Sequence, residues 1–158
     1  MRGVDGRMLL LTWLCLAGWC GLGCQSMGGP ASAGFASVKI GGQPVDQVEA
    51  TTVKVFQNEG YRAASSSDGF VFEREGSRWQ QIAYGSNLDD DKVIERVYAQ
   101  VVDLGGEVNR LQCTAYVVRN SGSGLEDEVR LPKLRSGYYQ DLLDKVVLEL
   151  TPAPILRE

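Results

Sequence analysis

Carboxylates are the side chains of this sequence best suited to catalysis, because the chain contains no histidine. Without imidazole there is no Ser-His-Asp or Cys-His nucleophile, no histidine-bound zinc and no switch that titrates near neutral pH. Two carboxylates together can hydrolyse a glycoside, and the candidates are Glu73, Glu75, Asp103 and Glu107. Nothing in their spacing sets two of them across a cleft, so we expect no catalysis.

Three other groups of polar residues have simple structural interpretations. Asp89-Asp90-Asp91 offers oxygen ligands but lacks the spaced ligands of a calcium loop, so we interpret it as a solvated turn. Ser65-Ser66-Ser67 with Lys54 or Lys92 matches no serine–lysine motif and is typical of a turn. Glu126-Asp127-Glu128 is interpreted as a solvated run, with contact to a partner as the alternative. We therefore expect no metal and no cofactor.

Aromatic side chains are the remaining candidates for a surface that binds peptide or glycan. Strand alternation places Tyr98 and Tyr116 opposite the more apolar residues, so we predict that this pair faces solvent as an interaction surface. Packing in the core or at its rim is the simpler interpretation for the set as a whole: Trp79, Tyr84, Tyr98, Tyr116, Tyr138 and Tyr139.

The first two dozen residues have the layout of a secretory signal. Residues 1–7 carry Arg2 and Arg7, residues 8–19 are uncharged and mainly apolar, and small residues with cysteines follow. If the apolar run extends to Cys24 it has about 17 residues, short of the roughly 20 that span a membrane. An uncleaved signal anchor is the alternative.

The end of this apolar run carries the most specific motif in the chain. The segment Leu22-Gly23-Cys24-Gln25-Ser26-Met27 resembles the lipobox of bacterial lipoproteins, with glycine rather than the family's usual leucine three positions before the cysteine. The resemblance implies that the thiol of Cys24 is acylated and that residues 1–23 are removed. Small residues precede Cys24, whereas bulky Trp19 precedes Cys20, which is the alternative acylation site.

The same resemblance implies a location. Acyl chains on the cysteine and on the new amino terminus would give a lasting membrane anchor. Gln25 and Ser26 follow Cys24, and no aspartate is present there to favour retention in the inner membrane. We expect the protein on the periplasmic face of the outer membrane.

Removal of the leader changes the cysteine and charge balance. Cys15 and Cys20 are lost and Cys24 is acylated, so Cys113 is left without a disulfide partner and is predicted to pack as a buried thiol. The mature chain has 14 basic and 19 acidic residues, a net charge of −5, which argues against nucleic acid as a partner. We divide it into a flexible tether over residues 24–34, one domain over 35–152 and a tail over 153–158.

Hydrophobic periodicity predicts an α+β domain. Helices are predicted over residues 44–59, ending at Gly60, and from a cap at Ser136 to about residue 151. The stretch 92–104 fits either a strand or a helix. We favour the strand because Gly105-Gly106 leads to the alternating segment 111–118. Residues 120–133 are predicted to be a loop, and the other predicted strands are 35–40, 61–64, 70–75 and 79–84.

These elements predict an antiparallel sheet of four to five strands with two amphipathic helices on one face, a two-layer sandwich. For function we expect a lipid-anchored cell-envelope protein that binds another envelope protein or an envelope polymer. A small carboxylate-based envelope hydrolase and a structural spacer are the alternatives.

Overall fold

The computed structural model describes residues 31–85 and 93–151. The predicted signal peptide, Cys24, most of the predicted tether, Asp89-Asp90-Asp91, Lys92 and the tail lie outside the described residues. The described elements follow one another in the order β1 (Ala36–Gly41), α1 (Val45–Asn58), β2 (Arg62–Ser66), β3 (Gly69–Glu75), α2 (Arg78–Tyr84), β4 (Ile94–Asp103), β5 (Val108–Arg119), β6 (Asp127–Arg130), a 3-10 turn (Lys133–Arg135) and α3 (Gly137–Leu150).

One antiparallel sheet contains every described strand, in the order β1-β5-β4-β3-β2, with β6 also paired to β5. The long strand β5 makes this arrangement possible. Its residues 108–113 pair with β1, and its residues 116–119 pair with β6 on the same side. The predicted α+β class with an antiparallel sheet is confirmed. The described part has six strands and three α-helices, slightly more than predicted.

Strand alternation sets which side of the sheet is buried beneath the helices. The apolar residues of β5 at alternate positions, Leu111, Cys113, Ala115 and Val117, are all fully buried, as predicted. They share one core with the apolar stripes of α1 and α3, whose most deeply buried members are Val48, Val55, Phe56, Leu142, Leu143 and Val146. We call the opposite side of the sheet the outer face.

The β4–β5 hairpin confirms the strand that was favoured for this stretch, over Ile94–Asp103. All ten residues of β4 pair with β5, from Ile94 opposite Val118 to Asp103 opposite Asn109. Gly105 and Gly106 have φ values of 79° and 63°, which an L side chain rarely adopts, so glycine avoids backbone strain at both positions of the turn. The predicted end of α1 is also confirmed, since Gly60 has φ 84°.

The predicted strand over residues 79–84 is wrong, because this segment forms the helix α2. The Ser77 side chain accepts the backbone N–H of Gln80, and the Gln80 side chain accepts the backbone N–H of Ser77. This reciprocal capping box satisfies two backbone donors at the start of the helix. The Ser-x-x-Gln spacing of Ser77 and Gln80 is the sequence signal that indicates the start of a helix here.

The predicted loop over residues 120–133 also contains a strand, β6. It forms because β1 covers only the first half of β5, which leaves the backbone of the second half open to pairing. Val129 lies opposite Val117 and Glu128 lies opposite Val118. Asp127 and Glu128 therefore belong to a strand at a sheet edge, and together with Glu126 they remain exposed to solvent.

Packing against the domain begins within the predicted tether. Ala31 and Phe35 are buried, and the Phe35 ring lies 5.4 Å from the ring of Tyr139 in α3. The backbone N–H of Phe35 donates to the carbonyl of Ser32 at 3.1 Å. The chain is therefore fixed to the sheet at least four residues before the predicted start of the domain.

Candidate functional site

A cleft of about 190 Å³ opens where the short helix α2, the 3-10 turn and the start of α3 meet strands β3 and β4 of the sheet. We call it the aromatic cleft. Its principal side chains come from segments that are distant in sequence, namely Arg74, Trp79, Tyr84, Glu95, Arg135 and Tyr138. The fold thus concentrates aromatic and cationic groups at one place.

The helix α2 is held against the sheet by the side-chain amide of Gln81. Its Nε2 donates to the carbonyl of Val93 at 2.9 Å, and its Oε1 accepts the N–H of the same residue at 3.3 Å. These two bonds tie α2 to the residue just before β4. With the capping box at its start, the attachment fixes the position of Trp79 at the mouth of the cleft.

Glu95 forms the floor of the aromatic cleft. Its side chain is 3% exposed, and its carboxylate accepts hydrogen bonds from Arg74 at 3.2 and 3.4 Å, from Gln80 Nε2 at 2.9 Å and from the hydroxyl of Tyr61. A buried carboxylate is tolerated only when it is paired and hydrogen-bonded. The floor is therefore a fully connected polar network, and its groups are fixed before any ligand arrives.

Arg74 joins this floor to the wall of the cleft. Its guanidinium lies 4.4 Å from the centre of the Tyr61 ring and 5.1 Å from that of Tyr138, and it donates to the Tyr138 hydroxyl at 3.0 Å. Burial opposes its charge, but Tyr61 and Glu95 outweigh burial, so the pKa of Arg74 lies above its usual range. The guanidinium of Arg74 therefore remains positively charged between Glu95 and Tyr138.

The tyrosines that contact the floor remain protonated. Burial, and next the negative charge of Glu95, raise the pKa of Tyr61 and of Tyr139 far above that of a free phenol. Both hydroxyls therefore act as hydrogen-bond donors and do not exchange protons near neutral pH. This arrangement suits a rigid binding surface better than acid–base catalysis.

The walls of the cleft remain accessible. Trp79 is 56% exposed and Tyr138 is 38% exposed. The guanidinium of Arg135 lies 5.9 Å from the centre of the Trp79 ring, within the range of a cation–π contact. Among the described residues Arg135 makes no ion pair.

Tyr98 and Tyr116, the pair predicted from the sequence as an interaction surface, do not line the aromatic cleft. The two rings lie on the outer face in edge-to-face contact, with centres 5.4 Å apart. Tyr98 also donates to Glu128 at 2.9 Å. The other four aromatic candidates, Trp79, Tyr84, Tyr138 and Tyr139, line the aromatic cleft. The residue types were identified from the sequence, but only the fold shows which ones meet.

The acidic run 126–128 is partly neutralised within the chain. Arg96 on the outer face contacts Glu73 at 2.5 Å, Glu126 at 2.5 Å and Glu128. Burial works against the charge of Arg96, but the three carboxylates outweigh it and raise its pKa. One guanidinium therefore pins the β6 segment to β3 and β4.

The other carboxylate candidates do not form a catalytic pair. Asp103 and Glu107 both line an open recess of about 410 Å³ beside the β4–β5 hairpin, where both are exposed. Asp103 Oδ1 accepts the backbone N–H of Gly105 at 2.7 Å and so supports the turn. Glu73 is paired with Arg96. Glu75 lies opposite Ile94, at the other end of β4 from Asp103.

The remaining sequence candidates have structural roles. Ser65 and Ser66 belong to β2, and Lys54 forms an ion pair with Glu149 at 2.7 Å, so no serine–lysine pair forms there. Cys113 is fully buried, and burial raises the pKa of its thiol to about 12. Within residues 31–85 and 93–151, no group of three or more acidic or cysteine side chains is placed to hold a metal ion.

Comparison with protein-family models, with curated proteins and with solved structures found no match to this chain. None of the helices in the described part is both long and apolar enough to cross a membrane.

Proposed function

We propose that this protein is a lipid-anchored cell-envelope protein that acts by binding an envelope partner at the aromatic cleft. The lipobox-like segment around Cys24 supports the anchor and the location. The cleft supports the binding activity. In this proposal the periplasmic face of the outer membrane holds the protein, and the domain presents the cleft to its partner.

The observation that carries the proposal is the composition of the cleft. Tryptophan, tyrosine and arginine are the residues most enriched at the energetic centres of protein interfaces, and here they converge from β3, α2, the 3-10 turn and α3. Their exposed faces surround a floor whose polar groups already have partners. A ligand would therefore meet apolar and cationic surface without having to disrupt the network around Glu95.

The size of the cleft favours a macromolecular partner. Sites that enclose a whole small molecule usually measure roughly 300–1,000 Å³, whereas this cleft measures about 190 Å³. It has room for a side chain or a short segment of a larger partner. The guanidinium of Arg135, beside Trp79 and without an ion pair among the described residues, favours a segment that carries a carboxylate.

The same observation favours binding over the two alternatives. Glycoside hydrolysis uses two carboxylates on either side of the bond, and among the described residues that line the cleft Glu95 is the only carboxylate. A structural spacer needs no binding surface, whereas a half-exposed tryptophan beside an arginine promotes association with other molecules.

Capture of the partner from native membranes tests the proposal. The wild-type chain, Trp79→Ala and Ile82→Ala are each crosslinked in intact cells and recovered. Ile82 lies on the same helix, is 72% exposed and does not line the cleft, so it is the matched control. We expect Trp79→Ala to recover at least tenfold less of a specific crosslinked partner and Ile82→Ala to recover the wild-type amount. Equal recovery by both variants would contradict binding at the cleft.

A further inference from the structure

Three of the described strands have an open side, and two of these edges are protected against pairing with a further strand. At β1 the side-chain amide of Gln140 bonds to both backbone groups of Ser37. The strand β6 has only four residues, of which Asp127, Glu128 and Arg130 are charged. Covered backbone groups, short edge strands and edge charges all discourage association between sheets.

The remaining edge strand, β2, is open along most of its length. Its single charge lies at its first residue, Arg62, and only small alanine and serine residues follow. The strand pairs with β3 without a bulge, and all of its residues except Ala63 are exposed. In the described part of the chain, no hydrogen bond reaches the backbone of β2 from any element other than β3. This edge can therefore accept another strand.

Hydrogen bonding alternates along β2, so every second residue offers its backbone to a new strand. Ser66 and Gly69 flank a two-residue turn and form the hydrogen-bonded pair that closes it. Counted back from this pair, Ala63 and Ser65 direct their N–H and C=O groups to the open side. The side chain of Ala63 packs against the core, so that of Ala64 projects to the outer face.

We propose that two copies of this chain pair antiparallel through β2, with Ala64 of one copy facing Ala64 of the other across a two-fold axis. In this register all five residues of β2 are paired. Ala63 of each copy exchanges backbone hydrogen bonds with Ser65 of the other, which gives about four bonds in total. Each copy contributes the same surface, as in most closed dimers.

The charges at the two ends of β2 favour a second copy as the occupant of this edge. Arg62 begins the strand and Asp68 lies just beyond its end. Both are exposed, and neither forms an ion pair with another described residue. In the proposed register Arg62 lies opposite Ser66 of the second copy and diagonal to Asp68 of that copy, within reach of a long side chain. The two-fold axis forms this contact twice.

The helix layer leaves room for the second copy. The helix α1 contacts both β2 and β4 and therefore lies over β3, one strand inside the edge. The two α1 helices of the dimer are then three strand spacings apart, about 14 Å, which exceeds the roughly 8–10 Å of closely packed helices. The two-fold axis is perpendicular to the sheet, so both helix layers and both aromatic clefts lie on the same side of the joined sheet.

Disulfide trapping at the two-fold axis tests the pairing. The edge is short, so the interface falls below the roughly 1,200 Å² of a stable complex, and a covalent trap detects a dimer that dissociates readily. Facing residues of a non-hydrogen-bonded pair have Cα atoms about 4.5 Å apart, within the range of a disulfide.

The matched control for the trap lies on the protected edge. In the purified full chain under mild oxidation, we expect Ala64→Cys to form a disulfide-linked dimer at least tenfold faster than Lys39→Cys. Lys39 is exposed on β1, whose edge is covered by Gln140. The wild-type chain gives the background from the native cysteines. Equal rates in the two variants, or a faster rate in Lys39→Cys, would overturn the pairing.

Charge reversal in the Ala64→Cys chain tests the register. We expect Asp68→Arg to slow trapping at least threefold, because it brings like charges together at both contacts. A general loss of repulsion between acidic chains would have the opposite effect, since this change makes the chain less acidic. Adding Arg62→Asp exchanges the two charges and should restore the rate. An undiminished rate in Asp68→Arg, or no recovery on adding Arg62→Asp, would refute the proposed dimer.

Discussion

Glu95 illustrates at the scale of a single residue how the cleft is built. Its carboxylate is almost inaccessible to water, yet it receives hydrogen bonds from Tyr61, Arg74 and Gln80, which belong to three different parts of the chain. A hydrophobic residue at this place would pack against the core but would leave all three donors unpaired. The polar network therefore fixes the floor of the cleft at the cost of burying a charge.

Replacement of Glu95 tests how much this network contributes to the stability of the domain. We expect Glu95→Gln to lower the free energy of unfolding by about 2 kcal/mol, because Arg74 loses its charged partner while the shape of the site is kept. Urea denaturation measures the change. Glu75→Gln, on an exposed residue of the neighbouring strand, is the matched control and should stay within about 0.5 kcal/mol. A similar small effect at Glu95 would contradict its role in the network.

Cys113 gives a prediction for alkaline pH. Its ordinary pKa of 9.0 rises to about 12 in the fold because of burial, so between these pH values the unfolded chain loses a proton that the folded chain keeps. The free energy of unfolding should therefore fall by about 1.4 kcal/mol per pH unit above pH 9 from this residue.

Denaturation at pH 8, 9 and 10 measures this slope. Cys113→Ala is expected to be less stable at every pH, but its stability should fall less steeply above pH 9 because the titrating thiol is gone. Tyr61 and Tyr139 act in the same direction at higher pH, since burial raises the pKa of both. An identical slope in the variant would show that Cys113 does not titrate as inferred.

At the scale of the elements, α2 is the short segment on which the cleft depends. It has seven residues, none of them fully buried, and of these Tyr84 at its end packs against the core, so core packing alone holds it weakly. The capping box and the two bonds from Gln81 to Val93 hold it in place instead. Such a helix is sensitive to loss of a single cap.

Loss of the cap should therefore disturb the cleft before it disturbs the fold. We expect Ser77→Ala to lower stability by about 1 kcal/mol and to shift the fluorescence of Trp79 toward that of an exposed indole. Trp79 is the only tryptophan left once residues 1–23 are removed, so the signal comes from the cleft alone. Ser67→Ala, in the exposed β2–β3 turn, should change neither quantity. An unchanged spectrum in Ser77→Ala would show that the cap does not position Trp79.

The elements that were predictable from the sequence are those whose signals are local. Alternation along β5 and the apolar stripes of α1 and α3 gave the sheet, the core and the α+β class. The strand β6 was not predictable, because it exists only where β1 leaves part of β5 unpaired. The cleft was not predictable either, since Trp79, Glu95 and Tyr138 meet only through the arrangement of α2, β4 and α3.

At the scale of the whole molecule, the lipobox-like leader and the domain predict two separable properties, attachment and binding. We expect Cys24→Ser to leave the precursor unprocessed and without an acyl label, since the thiol that would be acylated is absent. Metabolic labelling with a fatty acid, followed by fractionation of membranes, measures both effects. Cys20→Ser is the matched control and should be processed normally. Acylation that persists in Cys24→Ser but is lost in Cys20→Ser would assign the anchor to Cys20.

The side chain of Gln140 has a consequence for crowding at the membrane to which we propose that the chain is anchored. From α3 its amide reaches the free edge of β1, accepting the N–H of Ser37 at 3.2 Å and donating to the carbonyl of the same residue at 3.3 Å. An open strand edge recruits further strands, and proteins confined to a surface meet one another far more often than proteins free in three dimensions. If the chain is anchored at a membrane as proposed, this glutamine, by occupying both backbone groups of Ser37, hinders edge-to-edge pairing between neighbouring molecules at this edge.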